Sequence, residues 1–550
     1  MTGSNPEWLP HFSNEIVAGV RKTQQCAYSI ALEGWRRGLR LKWYSIDSSK
    51  FSNFITSGDD PYGRLFSLSS KERTHYFFRT RGDKVQNEAV KIGIDKVETK
   101  IRLKQAGVPV PRGQKFEIEV DDGDIIAYAS EDIGYPVVLK PVDGSMGKGV
   151  FTNIKNEEEL TRALRHIREA FNFKELIIEQ HISGEEYRVY VVDGKVIGAY
   201  NRLPANVFGD GISTIRELIN YKNKDRRENP RLSSSPIKSD DDLLEYLQTN
   251  KYSLDYIPRK GERVFLRGKS NISSGGDPVD ATDILPEKIK QTAIDAIEAI
   301  PGLYHGGVDI IWDKNKMDTK QPAVVIELNP TAQIGGILFP IEGSARDIPA
   351  SIIDFYFPET INKKKTDMYF DFHGILKPLR NRSAIEVEVE PAPKGEVYAM
   401  KYRVRCFRNE STYLNWLKKE AFDRHLHGYA KKLKKGDLEI VVAGTNKETV
   451  CGFKNIISRS HNKAEISEVF EEVWKKPVKI GFEIVNQFKI STEDVDQKLE
   501  EIKSKKNKLL REKKYIEKQY KKIQRSTLWR LSWPFRKMVG LYKFISTNNK

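Results

Sequence analysis

Cysteine is scarce, with three in 550 residues: Cys26, Cys406 and Cys451. None stands in a CxxC pair and the number is odd, so neither a disulfide framework nor a zinc cluster is expected. Such usage fits a reducing compartment. Long apolar runs are absent too, and no stretch approaches the roughly 18–20 apolar residues that span a bilayer. The opening residues MTGSNPEWLPHFSNEI show no basic segment followed by an apolar core. No secretory leader is therefore expected, and a cytoplasmic location is. Excess basic charge is missing from most of the chain. The formal net charge is +16, yet residues 501–550 hold 16 Lys and Arg against Glu501, Glu512 and Glu517, a net 16 − 3 = +13. The other 500 residues carry about +3, so the body has no electrostatic footprint for nucleic acid and no such partner is expected.

Hydrophobic residues make up 39% of the chain and aromatics 10%, enough for packed cores, and the length points to about three or four domains. A helix from Glu15 to Arg37 runs into a strand at 39–44, the pattern of a small α/β unit. Residues 95–107 read as helix, closed by Gly107 and Pro109. Strands follow at 135–140 and 176–179, and Asn156 with Glu159 marks a capped helix between them. Asp193-Gly194 between the strands at 187–192 and 195–200 marks a two-residue hairpin. Helices are expected near 240–249 and at 284–300, then strands at 304–312 and 323–329. After a linker at 359–365, strands are expected at 395–407, 437–443 and 478–485, with helices at 411–425 and 464–474. A long charged helix at 493–525 comes last.

Three constellations carry chemistry. Glu327 and Asn329 stand two apart on a strand and so share a face. The preceding strand, pairing antiparallel, offers Asp309 beside them. Two carboxylates and an amide oxygen suit Mg²⁺ (or Mn²⁺), with phosphates completing the shell. The turn Gly144-Ser145-Met146-Gly147-Lys148-Gly149 follows a strand ending in Lys140, and its glycines let backbone N–H groups close on phosphate oxygens. It is no P-loop, because Gly149 stands where Ser or Thr would. Residues 179–187 end an apolar strand in backbone groups able to read a base edge, with carboxylates close behind to accept ribose hydroxyls.

In this order the pieces resemble the ATP-grasp superfamily, in particular the ATP-grasp domains of cyanophycin synthetases and bifunctional glutathione synthetases. The resemblance runs through residues 95–100, Lys140-Pro141, the 144–149 turn, 179–186, 209–214, 223–227, 266–276, 280–283, 307–309 and 327–330, covering about residues 15–358. It implies an α+β ATP-grasp fold, with a small α/β domain preceding two α+β subdomains that clasp ATP. It places Lys96 and Lys140 on the nucleotide, Glu179 and Ile182 at the adenine hinge, and Glu186 on the ribose. Asp309, Glu327 and Asn329 would bind Mg²⁺. Arg188, Arg202 and Arg267, with Asn271, would steady an acyl phosphate or a substrate carboxylate. The activity implied is an ADP-forming ligase that joins a carboxylate to an amine. The mechanism agrees with the residue types, since phosphoryl transfer needs charge neutralisation and arginine forks fit oxyanions. No P-loop follows in 360–550, so the Mur-ligase-like half of the cyanophycin enzymes is not expected, and the first ninety residues are too short for a glutamate–cysteine ligase half.

Residues 396–486 resemble an acylphosphatase domain with degenerate chemistry, its phosphate-binding arginine falling near Leu414 and its asparagine near Lys432. The expected division is 1–94 pre-ATP-grasp, 95–358 ATP-grasp, 366–490 acylphosphatase-like, and 491–550 a basic coiled coil and amphipathic tail. Ile502, Leu509, Ile516 and Ile523 recur every seven residues, the trace of a coiled coil at 495–525 that would pair two chains. Trp529, Trp533 and Phe535 among arginines in 526–550 favour peripheral contact with an anionic membrane. Two rival functions belong to other classes: a nucleotide-binding assembly or regulatory protein without turnover, and an acyl-phosphate hydrolase seated in 396–486. Intact Asp309, Glu327 and Asn329 argue against the first. The displaced arginine and asparagine argue against the second.

Overall fold

The computed structural model describes residues 6–56, 61–142, 149–171, 173–316, 323–406, 410–433, 437–459, 466–485 and 513. Gly144, Ser145, Met146, Gly147 and Lys148 lie outside the described residues, as do the expected coiled coil at 495–525, Lys513 apart, and the 526–550 tail.

Helix α1 (Lys22–Arg36) buries Tyr28, Ile30, Ala31, Leu32 and Trp35. It stops at Gly38, whose φ of +82° suits a residue without a Cβ. The antiparallel sheet beside it runs Glu386–Glu388, Arg40–Tyr44, Leu65–Ser69, Thr74–Phe78, Arg81–Gly82. Its first strand comes from far along the chain: Glu386, Val387 and Glu388 pair with Tyr44, Trp43 and Lys42. Helix Phe372–Arg380 packs into the same core through Phe372 and Leu376. Part of the stretch after 366 therefore completes this first sheet.

Helix α2 (Lys96–Gln105) is capped by the Asp95 side chain, which accepts from Val97 and Glu98 N–H. A four-stranded sheet follows, built from β1 (Gly113–Glu117), β2 (Val137–Pro141), β3 (Phe151–Ile154) and β4 (Glu175–Gln180) in the order β1-β4-β2-β3. Asn156 caps the helix Glu157–Ala170, accepting from Glu159 N–H, and Glu159 reaches back to Lys155 N–H. The second sheet is built from β5 (Glu185–Val192), β6 (Lys195–Leu203), β7 (Asp277–Asp280), β8 (His305–Trp312) and β9 (Ala323–Asn329), in the order β7-β6-β5-β8-β9. Asp193 and Gly194 both take positive φ, +50° and +69°, the requirement of a two-residue hairpin turn. The long β5–β6 hairpin is thus locally encoded and forms the centre of the sheet.

The last sheet runs Ile466–Val473, Tyr398–Cys406, Asp437–Gly444, His427–Lys432, Phe482–Val485. Helices Glu410–Asp423 and Lys447–Ile457 supply Tyr413, Leu417, Val450 and Phe453 to its core. The helix expected at 464–474 is corrected: residues 466–473 are an edge strand paired with 398–406. Ile466, Val469, Phe470 and Val473 have helical spacing, but the open edge of the 398–406 strand offers a ladder of hydrogen bonds, shifted in register only between Val404 and Cys406. Pairing wins although Phe470 and Val473 stay 63% and 67% exposed. Among the described residues no helix is long and apolar enough to cross a membrane.

Candidate active site

The centre of the site is set by register. On the second sheet Arg188 lies opposite Asp309 across β5–β8, and Asp309 lies opposite Glu327 across β8–β9. The β8–β9 register slips there by one residue, because Asp309 pairs with Glu327 but Ile310 pairs with Val325, leaving Ile326 unmatched. The bulge changes which face Glu327 takes. An unbroken strand would put it on the face of Ala323 and Val325, both buried in the core. With the slip, Ala323, Val325 and Leu328 turn inward while Glu327 and Asn329 are only partly buried.

Asp309 is 1% exposed. Arg188 grips it with a fork, Nε to Oδ1 and NH2 to Oδ2, both at 2.6 Å. Arg202 NH1 donates to the same carboxylate at 2.9 Å and lies 2.6 Å from Glu186 Oε1, while its NH2 donates to Asn271 Oδ1 at 3.0 Å. Ser270 Oγ donates to the other oxygen of Glu186. Burial alone would raise the Asp309 carboxyl, but Arg188 and Arg202 outweigh it and hold it below the usual range. Glu327 goes the other way. Burial and the facing Asp309 push it above the ordinary carboxylate range, against the pull of Arg188, Lys96 and Arg202. Among the described residues Glu327 has neither hydrogen bond nor ion pair, and Asn329 Nδ2 is buried without a partner.

A divalent cation fits this donor set. Two facing carboxylates of which one is protonation-prone are what a hard cation relieves, and the amide oxygen of Asn329 two residues on would be a further donor. Asp309 is committed to its arginines and must yield one contact to take part. The described residues hold no group of three or more His, Cys, Asp or Glu side chains able to hold a metal by themselves, so amide or phosphate oxygens must complete the shell.

The second cluster lies on the four-stranded sheet of β1–β4. Glu179 on β4 is 4% exposed, and Lys140 on β2 approaches it at 2.5 Å. Lys100 on α2 donates to its other oxygen. Burial would raise Glu179, but Lys140 and Lys100 prevail and lower it. Lys96, one turn before Lys100, donates to Val142 O at 2.8 Å. Two ammonium groups thus hold one carboxylate, and a third, Lys96, sits at the end of β2, where the 143–148 segment begins. Lys100 belongs to the 95–100 motif but is given no site role by the sequence, although its i, i+4 spacing from Lys96 puts both on one face of α2. After β4 the chain passes through His181, whose N–H donates to Pro136 O at 3.1 Å, and half-buried Ile182. Gly149 takes φ of +69° at the far side of the glycine turn.

Arg267 stands apart. Its guanidinium donates to Lys238 O at 3.1 Å and Asp240 Oδ1 at 2.5 Å, and the structure does not join it to the Asp309 cluster.

Residues 93–210 match the model of the RimK-like ATP-grasp domain, and residues 409–490 match that of acylphosphatase. The chain carries an ATP-grasp domain. The cyanophycin synthetase of Synechocystis sp. is 34% identical over 274 residues, covering 49% of this chain and 31% of that protein. The bifunctional glutathione biosynthesis protein of Clostridium perfringens is 30% identical over 363 residues, 64% of this chain and 43% of its own. The crystal structure of a bifunctional glutathione synthetase from Pasteurella multocida aligns at 27% identity and a TM-score of 0.41, covering 56% of this chain and 41% of that one. The chain spans less than half the length of the curated relatives it matches. Within the ATP-grasp domain lie Lys96, Lys100, Lys140, Glu179, Glu186, Arg188 and Arg202; the match stops before Asp309, Glu327 and Asn329.

Proposed function

We propose that the chain is an ATP- and Mg²⁺-dependent carboxylate–amine ligase working through an acyl phosphate. The observation that carries this reading is the array on β5, β6, β8 and β9, in which arginine forks face a pair of carboxylates across adjoining strands. Glu327, Asn329 and Asp309 would hold Mg²⁺ (or Mn²⁺), which when bound neutralises phosphate oxygens. Lys96 and Lys140, joined by Lys100, would bind the ATP phosphates, Ile182 and Glu179 the adenine, and Glu186 the ribose. The γ-phosphorus is then attacked by a substrate carboxylate oxygen and ADP leaves. Arg188 and Arg202 are the nearest guanidinium groups able to spread the negative charge on the transferring group. An amine nitrogen next attacks the acyl carbon, the C–O bond to phosphate breaks, and the amine gives up its proton. Amide, ADP and phosphate result.

The same reading divides the chain at 1–94, 95–358, 366–490 and 491–550, with 372–388 joined to the core and sheet of the first unit; it keeps the chain in the cytoplasm and gives its tail two tasks: pairing chains through 495–525 and touching anionic membrane through 526–550. Composition and the heptad trace support the tail assignments. The activity is tested by ADP release against pooled amino acids, peptides and acidic glycans. Carboxylate oxygen-18 should then appear in the released phosphate. Amide formation without that transfer would point to adenylation and overturn the mechanism. Glu327→Gln combined with Asn329→Ala should remove most Mg²⁺-dependent turnover.

A further inference from the structure

The stretch 223–227 belongs to the ATP-grasp likeness but has no part in these roles. It lies on helix Ile215–Glu228, where Lys224, Asp225 and Arg227 are exposed. Asn223 and Arg226, three apart and so on one face, point inward. Arg226 is 3% exposed, and its guanidinium reaches two chain segments at once. Nε and NH2 donate to Ser235 O at 3.2 and 2.8 Å. NH1 and NH2 donate to Gly276 O at 3.2 Å each, and NH1 also to Asp277 Oδ1 at 2.7 Å. Asn223 brackets Ile237, donating to its carbonyl at 2.9 Å and accepting from its N–H at 2.8 Å. Ile237 packs under Gly275, where a Cβ would lie 2.8 Å from it. A Cβ on Gly276 would lie 2.8 Å from both Asn271 O and Leu203 O, so the turn is tight.

This scaffold adjoins the arginine array. Asp277 opens β7 and pairs with Leu203, the residue after Arg202. The loop before it carries Asn271, which accepts from Arg202, and Ser270, which donates to Glu186. Arg226 hydrogen-bonds to none of these groups; it fixes the end of the loop that presents them. Lys222 Nζ also lies 2.5 Å from Asp277 Oδ2, so two cations share one buried carboxylate. Burial lowers the proton affinity of both, against the pull of Asp277. Apolar side chains would stabilise such an interior equally well. A guanidinium fork does something they cannot, which is to hold two carbonyls at a set distance and direction. We infer that Arg226 is a positioning residue of the reaction, clamping Ser235 O and Gly276 O together so that Asn271 holds Arg202 where charge develops on the transferring group. This rests on the ligase reading and deepens it by extending the site to the 223–238 backing, through the loop and not through substrate.

Two measurements on the 550-residue chain test this. Arg226→Met leaves Lys222 and Asp277 paired one to one, so the fold should persist. In ADP release, kcat should fall at least tenfold, within the roughly 100-fold that a misplacement of about 1 Å costs, while the KM for ATP stays within about threefold. Arg226→Lys keeps the charge but not the fork, so it should be equally slow. Asn271→Ala should add little to Arg226→Met, because both act through one contact. An unaltered kcat in Arg226→Met, full turnover in Arg226→Lys, or losses that multiply in the double variant would each overturn the inference. The second measurement, hydrogen exchange without substrates, needs no turnover. The N–H groups of Ser274, Gly275 and Gly276 donate within the loop. In Arg226→Met they should exchange at least tenfold faster, with those of α1 unchanged. Unchanged loop exchange, or equal acceleration in α1, would leave Arg226 an ordinary structural residue and defeat the proposal. Absence of ADP release from the parent with every candidate, alongside faster loop exchange in Arg226→Met, would instead remove the ligase reading and keep the clamp.

Discussion

Asp309→Asn isolates what the buried array contributes to stability. The side chain changes little in volume, so the loss is mainly charge. Arg202 keeps its contact to Glu186 at 2.6 Å when Asp309 is neutralised. Arg188 loses its paired charge and keeps at most one neutral hydrogen bond to the amide oxygen, because Asp309 is its only hydrogen-bond partner among the described residues. Breaking a buried ion pair by removing one partner costs about 3–5 kcal/mol. The Arg188 and Arg202 side chains retain 13% and 12% exposure, which places the cost toward the lower end of that range. For a unit of this size about 3 kcal/mol lowers a thermal midpoint by on the order of 10 °C. The assay is thermal unfolding at one scan rate, without nucleotide or metal, for Asp309→Asn, Arg188→Met and the double variant. The double variant should recover much of the loss of Asp309→Asn, since the orphaned cation is gone. Losses that add to within about 0.5 kcal/mol would show that the two groups are not coupled and would refute the reasoning.

Further outcomes follow from other sites. His305 is fully buried between Tyr190 and Tyr356, and burial, then Arg81, hold its pKa down to about 3. It is neutral in the fold but takes a proton in the unfolded chain below about pH 6.5, so stability is present above that pH and lost as pH falls toward 3. The difference in unfolding free energy between the parent and His305→Gln should therefore shrink by up to about 1.4 kcal/mol per pH unit below 6.5; a difference independent of pH would exclude the linkage. The unit at 398–485 should leave acetyl phosphate intact in the full chain, because Leu414 lies in its core at 6% exposure and no guanidinium can act from there. Hydrolysis abolished by changing Arg405 would show the assignment of that position to be wrong. The 550-residue chain should sediment with anionic vesicles, release as salt rises, and lose binding when 526–550 is removed; unchanged binding after truncation would defeat the proposed tail contact.

Much of the architecture is written locally. The Asp193-Gly194 hairpin, the Asn156 and Asp95 caps and the strands around Asp309 and Glu327 follow from turn chemistry, capping and two-residue periodicity, all short-range effects. The residue types at the site were legible for the same reason, because Glu327, Asn329 and Asp309 are hard oxygen donors whatever surrounds them. Tertiary structure decided the rest. Periodicity alone would have laid Glu327 against the core with Val325; the unmatched Ile326 in the β8–β9 ladder turns it toward Asp309. The helical stripe of Ile466, Val469, Phe470 and Val473 became a strand because a neighbouring edge supplied hydrogen bonds. Residues 386–388 joined a sheet begun more than three hundred residues earlier. Arg226 meets Asp277 although some fifty residues separate them, and Arg267 was drawn to Asp240 instead of the array. Register, edge pairing and the meeting of distant buried charges depend on which surfaces the whole fold brings together, and no local run of residues encodes that.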